Sequence, residues 1–120
     1  MSDSGDGRPL DRHLVKGGAT TLVLSILDER PMHGYELIRT IRERSDGIFE
    51  LSEGTVYPLL YALRDRGLLE SESETSPEGR RRKVYRLTTA GREHLEELLD
   101  EWRLFREGMR LALGDAGGAR

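Results

Sequence analysis

The chain has 120 residues, of which 36% are apolar and 34% charged, with a net charge of −3; this fits one small soluble domain with an appended helix, not a disordered chain. No apolar run approaches the roughly 18–20 residues that span a bilayer, and the first residues lack the basic and apolar regions of a signal peptide, so a cytoplasmic protein without a membrane partner is expected. Cysteine is absent, which excludes disulfides, thiolate zinc sites and a thiol nucleophile.

Residues 1–11 open with the polar, Gly-rich MSDSGDGRP and are expected to form a disordered tail, as is the closing GDAGGAR, residues 114–120. Between them, Leu14, Leu22, Val23, Ile26 and Leu27 share the buried face of a first helix, which Pro31 must follow and cannot join. A second helix begins near His33, carries Leu37, Ile38 and Ile41 at helical spacing, and frays at the loop signal Ser45-Asp46-Gly47.

The third helix starts on LSEGTVYPLL, residues 51–60, an awkward beginning because Gly54 and Pro58 are poor interior helix residues. Both suit a helix whose N-terminus meets a polyanion. Proline costs little near a start where N–H groups lack partners, Ser52 is a good N-cap, and Gly54 lets a phosphate approach the backbone. Val56, Leu59, Leu60 and Leu63 form the apolar face, Tyr57, Pro58, Tyr61, Arg64 and Asp65 point elsewhere, and Gly67 ends the helix. The tyrosine hydroxyls and Arg64 can bond phosphates or base edges.

Leu68 and Leu69 lead into the strand ESESET, Pro77-Glu78-Gly79 turns, and KVYRL, residues 83–87, is a second strand. With the turn centred on Glu78, Glu74 faces Arg82 and Glu70 faces Arg86, each pair contributing roughly 0.2–1 kcal/mol. Arg80, Arg81 and Lys83 are left less well paired near the tip. Residues 80–86 are intensely basic and residues 93–101 intensely acidic, so one end of the molecule attracts polyanions despite the negative total.

Thr88 or Thr89 caps a last helix running to Leu113. Gly91, Leu95, Leu98, Trp102, Phe105, Met109 and Ala112 repeat at alternating spacings of four and three, a heptad seam. Such a helix is about 37 Å long, while a body of that size is about 30 Å across. It overshoots, leaving Phe105 and Met109 in water unless a second copy covers them. The expected fold is thus mainly α with a small β-hairpin, an α+β winged helix-turn-helix over residues 12–88, followed by a dimerisation helix over 89–113.

The segments LVLSILDERPMHGYELIRTI, LSEGTVYPLLYALRDRGLLE and GRRRKVYRLTTAG resemble the PadR family of bacterial transcriptional regulators. The carriers are HGYE (33–36), SxGTxYPxLxxL from Ser52 to Leu63, and GRxRKxYxLT (79–88), within an agreement covering residues 14–105; the single last helix resembles the smaller subgroup. The resemblance implies a homodimeric repressor of double-stranded DNA, its third helix in the major groove and its hairpin a wing, with the last helix packing on the partner's first and last helices. Ser52, Gly54, Thr55, Tyr57 and Tyr61 would belong to the recognition helix, and Arg80, Arg82 and Lys83 to the wing. Some members of that family bind small aromatic effectors between subunits, a role open to Trp102 beside that of plain interface core with Leu95, Leu98, Phe105 and Met109.

Two other readings compete. An enzyme is disfavoured, because His13, His33 and His94 lie on different elements without a carboxylate at ligand spacing, His33 is better used capping or packing the second helix, and Ser52 lacks a base. No catalytic residue, metal or cofactor is implied. A winged helix that binds protein instead of DNA is the stronger alternative.

Overall fold

The computed structural model describes residues 17–114. The expectations for Leu14, His13 and the tails lie outside the described residues, apart from Gly114. Seven elements follow in order: α1 (Gly18–Glu29), β1 (Met32–His33), α2 (Gly34–Arg44), α3 (Glu53–Asp65), β2 (Leu69–Thr75), β3 (Arg81–Leu87) and α4 (Thr89–Leu113). This is the α+β winged helix-turn-helix expected, with its long C-terminal helix in place.

Each helix boundary has a chemical cause. Pro31 disfavours helical backbone at Arg30, which is extended at φ −170° and stops α1. His33 Nδ1 accepts the Glu36 N–H at 3.2 Å and caps α2. At its other end Asp46 and Gly47 adopt positive φ, and their N–H groups return to the Glu43 and Arg42 carbonyls at 3.2 and 2.8 Å. The loop expected to fray is therefore a closed cap. Gly67, at φ 81°, ends α3 in the same manner, with the Leu68 N–H bonding the Leu63 carbonyl at 3.0 Å. Thr88 is the threonine that caps α4, accepting from the Gly91 N–H at 3.0 Å.

The first three helices set one stripe each into a common core: Val23, Leu24 and Leu27; Leu37 and Ile41; Val56, Leu60 and Leu63. Fully burying each such side chain stabilises the fold by roughly 1.5–3 kcal/mol. Leu69 and Tyr85 close the core from the hairpin and Leu95 from α4.

The sheet is antiparallel in the order β1-β3-β2. The sequence predicts two strands; the third, β1, is only two residues long, pairing Met32 with Tyr85 and His33 with Val84. The hairpin register places Glu70 opposite Arg86 and Glu74 opposite Arg82, as expected. One ion pair differs: Arg86 reaches diagonally to Glu72, 3.3 Å away, and not to Glu70; a diagonal neighbour on one sheet face is still within reach of side chains this long.

The start of α4 is fixed tightly. A Cβ on Gly91 would meet the Leu68 carbonyl oxygen at 2.1 Å, and Arg92 bonds Asp28 of α1 at 3.0 Å. The helix then leaves the body. The radius of gyration is 16.3 Å, against about 13 Å for a compact domain of roughly 100 residues, and every residue from Asp100 to Gly114 is exposed. The heptad seam divides accordingly. Leu95, expected at a partner interface, is 3% exposed within its own core, and Leu98 packs partly against that core. Trp102, Phe105 and Met109 lie in solvent.

Candidate DNA-binding surface

Pro58 has no N–H to give the Gly54 carbonyl, yet α3 continues through it from Glu53 to Asp65. Gly54 is exposed and a Cβ there would meet nothing closer than Ser52 Oγ at 3.8 Å, so its backbone is open to an approaching group. Ser52 Oγ accepts the Thr55 N–H at 3.2 Å and donates to Thr55 Oγ1 at 3.2 Å. Of that hydroxyl pair, Thr55 retains the free donor.

The α3 aromatics behave differently from one another. Tyr61 is 44% exposed, its ring centroid 6.3 Å from that of Tyr57 and 5.5 Å from the Arg64 guanidinium carbon above it. Arg64 also lies 3.6 Å from Asp65. The sequence places Tyr57 off the apolar face, but its ring packs partly against the core and over Gly34. Burial pushes the Tyr57 phenol above its usual range, Glu53 and Tyr61 add to this, and a hydrogen bond from the Tyr35 backbone opposes it.

Strand alternation sorts the wing cations. Arg81, Lys83 and Tyr85 share one face of β3, and Arg82, Val84 and Arg86 the other, with Glu72 and Glu74. Arg82 is half-buried there, 3.8 Å from Glu74. Among the described residues Arg80, Arg81 and Lys83 have no ion-pair partner. Ser76 shapes the tip: its N–H bonds the Arg80 carbonyl at 2.7 Å, and its Oγ accepts the Arg80 N–H at 3.1 Å.

Between α3, the start of α2 and the wing lies a groove of about 830 Å³. All four tyrosines of the chain, Tyr35, Tyr57, Tyr61 and Tyr85, line it together with the cationic run from Arg80 to Lys83. Of the residues named from sequence, the groove gathers Tyr57, Tyr61, Arg80, Arg81, Arg82 and Lys83, while Ser52, Gly54, Thr55 and Arg64 do not line it; it adds Tyr35, which sequence reasoning missed. Its signal was present in HGYE, where a bulky aromatic follows the glycine at a helix start without belonging to the apolar stripe.

Phenols and unpaired cations around an open groove match the chemistry of a phosphate backbone. A model of the transcriptional regulator PadR-like family matches residues 23–97. The chain belongs to the PadR-like family. It is 37% identical to the transcriptional regulator Rv3488 of Mycobacterium tuberculosis over 72% of this chain and 77% of that one. It is 32% identical to the transcriptional regulator YqjI of Escherichia coli over 86% of this chain and 47% of that one, spanning about half of that relative. A crystal structure of a PadR-like transcriptional regulator from Bacillus cereus superposes with a TM-score of 0.72 at 30% identity, covering 84% and 96% of the two chains. This PadR-like protein is a DNA-binding transcription regulator. Among the described residues, no group of three or more His, Asp or Glu could hold a metal ion, and no helix is long and apolar enough to cross a membrane.

Proposed function

We propose that the chain is a homodimeric repressor that binds a palindromic operator, reading the major groove with α3 and holding the backbone with its wing. The observation that carries the DNA contact is the groove in which α3 and the unpaired wing cations meet. In this reading Ser52, Gly54, Thr55, Tyr61 and Arg64 supply the α3 contacts. Arg80, Arg81 and Lys83 supply the wing contacts, and Tyr57 supports α3 from beneath. Arg82, paired with Glu74 on the other face, serves the wing more than the DNA.

A dimer is supported by the apolar residues that α4 carries beyond its own domain. Trp102 and Phe105 stack at 6.2 Å between centroids and 27° between planes while 49% and 61% exposed, and a second copy would cover them together with Met109. Two α3 helices related by a two-fold about one DNA turn apart, roughly 34 Å, would select a palindrome. The occupied operator is then closed to other proteins, which is repression. Trp102 is assigned to the interface core. A small aromatic effector stacking on it would release DNA only by favouring a dimer with the wrong spacing of the two helices.

A mobility-shift assay of the full chain on its native upstream region tests this. Expected are a dimer-sized complex and an affinity that falls with salt. A purified protein that bound no DNA but captured a protein partner would establish the competing interaction-module reading.

A further inference from the structure

We infer that Tyr35 is a DNA-backbone contact, a phenol presented to a phosphate from the start of α2 by Tyr57 across Gly34. The inference rests on the DNA-binding reading above and extends it to a helix not yet given a contact. Tyr35 is the second residue of α2, and it is 60% exposed where it lines the groove together with the wing. No other described residue bonds its hydroxyl. The ring adds nothing to the core, whose α2 members are Leu37, Ile38 and Ile41.

Its position is set from two sides. The first N–H groups of a helix have no partner within it. In α2 one is taken by the His33 imidazole, which accepts from Glu36, and the Tyr57 phenol lies beside the helix start at Gly34. The Tyr57 ring comes this close only because residue 34 is glycine: a Cβ there would stand 2.6 Å from the ring. Thus α3 fixes where α2 begins and where the Tyr35 phenol points. A hydroxyl donor beside a helix N-terminus, lining one open groove with the cations Arg81 and Lys83, is suited to one phosphodiester strand. Tyr57 is in this scheme a positioning residue.

Neutral and cationic contacts leave different signatures. Tyr35→Phe keeps the ring and removes only the donor, so binding to the native upstream duplex and to a scrambled duplex should weaken alike, by about three- to tenfold. The log–log salt slope should not change, because no counterion is released by a phenol, whereas Lys83→Ala should lower the slope by about 0.9. Tyr57→Phe should weaken binding similarly and speed hydrogen exchange at the Tyr35 amide. The double variant should bind no more weakly than Tyr57→Phe alone. Melting of Tyr35→Phe should match wild type. If Tyr35→Phe binds as wild type does while Lys83→Ala lowers the slope, the Tyr35 contact is overturned and the DNA-binding reading stands. A loss confined to the native duplex would make Tyr35 a base reader and also overturn the inference. If the wild-type chain binds neither duplex, both fall together.

Discussion

A Cβ on Gly34 would lie 2.6 Å from both Cζ and the hydroxyl oxygen of Tyr57, so the first residue of α2 and the middle of α3 meet with no space for a methyl group. Gly34→Ala must push the ring aside, at a cost of about 1–3 kcal/mol by the usual scale of overpacking. For a domain of this size each kcal/mol lowers Tm by roughly 4–8 °C. Tyr57→Leu in the same chain should relieve the clash, so the double variant should melt above the sum of the two losses. A Gly34→Ala protein melting with wild type would show that the contact is loose.

The two faces of β3 should answer differently to alanine. Arg82 has its Nε buried without a partner and its guanidinium by Glu74, whereas Lys83 is exposed and unpaired. Lys83→Ala should lower the salt slope of DNA binding by about 0.9, while Arg82→Ala should leave the slope near wild type. Equal slope losses would mean that both faces touch the backbone.

Much of this geometry could be read before any coordinates. The turn at Glu78 and the opposed charges of Glu74 and Arg82 pointed to the hairpin register that forms; a slip by one residue would have put Val84 or Arg86 in place of Tyr85 on the core face. Ser52 announced its cap, while for α4 the sequence left Thr88 or Thr89, of which Thr88 takes the role. Strand β1 was hidden because two residues carry no periodicity; only pairing with β3 makes Met32 and His33 a strand. The partial burial of Tyr57 was hidden for a related reason. Helical spacing says which side of α3 it occupies, but the glycine that admits its ring is 23 positions earlier. Heptad spacing likewise could not tell where α4 leaves its own domain, which is why Leu95 was grouped with Trp102.

Acid should weaken the junction between β1 and α2. Burial and then Arg82 hold the His33 imidazole below its ordinary 6.5, with Arg39 adding to this and Glu36 and Glu74 opposing it. Protonation also removes the Nδ1 lone pair that accepts the Glu36 N–H. A histidine that binds its proton less readily when folded contributes stability that is whole above the unfolded pKa and is lost as pH falls through the folded one. Tm should therefore begin to fall as pH drops through about 6.5 and continue to fall below it until the folded imidazole is protonated. His33→Asn, which keeps a capping oxygen, should flatten that decline. An undiminished decline in the variant would assign the acid sensitivity to other groups.

The seam of α4 should separate into fold and assembly when its residues are cut back singly. Leu95 is buried among its own core residues, so Leu95→Ala should lower stability by about 2–5 kcal/mol. Trp102 and Phe105 stack on each other on the exposed end of α4 and take no part in the core of the described residues. Their truncation to alanine should hardly alter the melting of a monomer, but if they anchor a dimer each should weaken association by more than tenfold, about 1.4 kcal/mol. Sedimentation equilibrium over a dilution series reads this directly. Coupled loss is expected on DNA, because a monomer presents one α3 to half of a two-fold site. A Trp102→Ala, Phe105→Ala chain that remained dimeric and bound its operator undiminished would place the interface elsewhere, leaving the exposed end of α4 without the partner proposed for it.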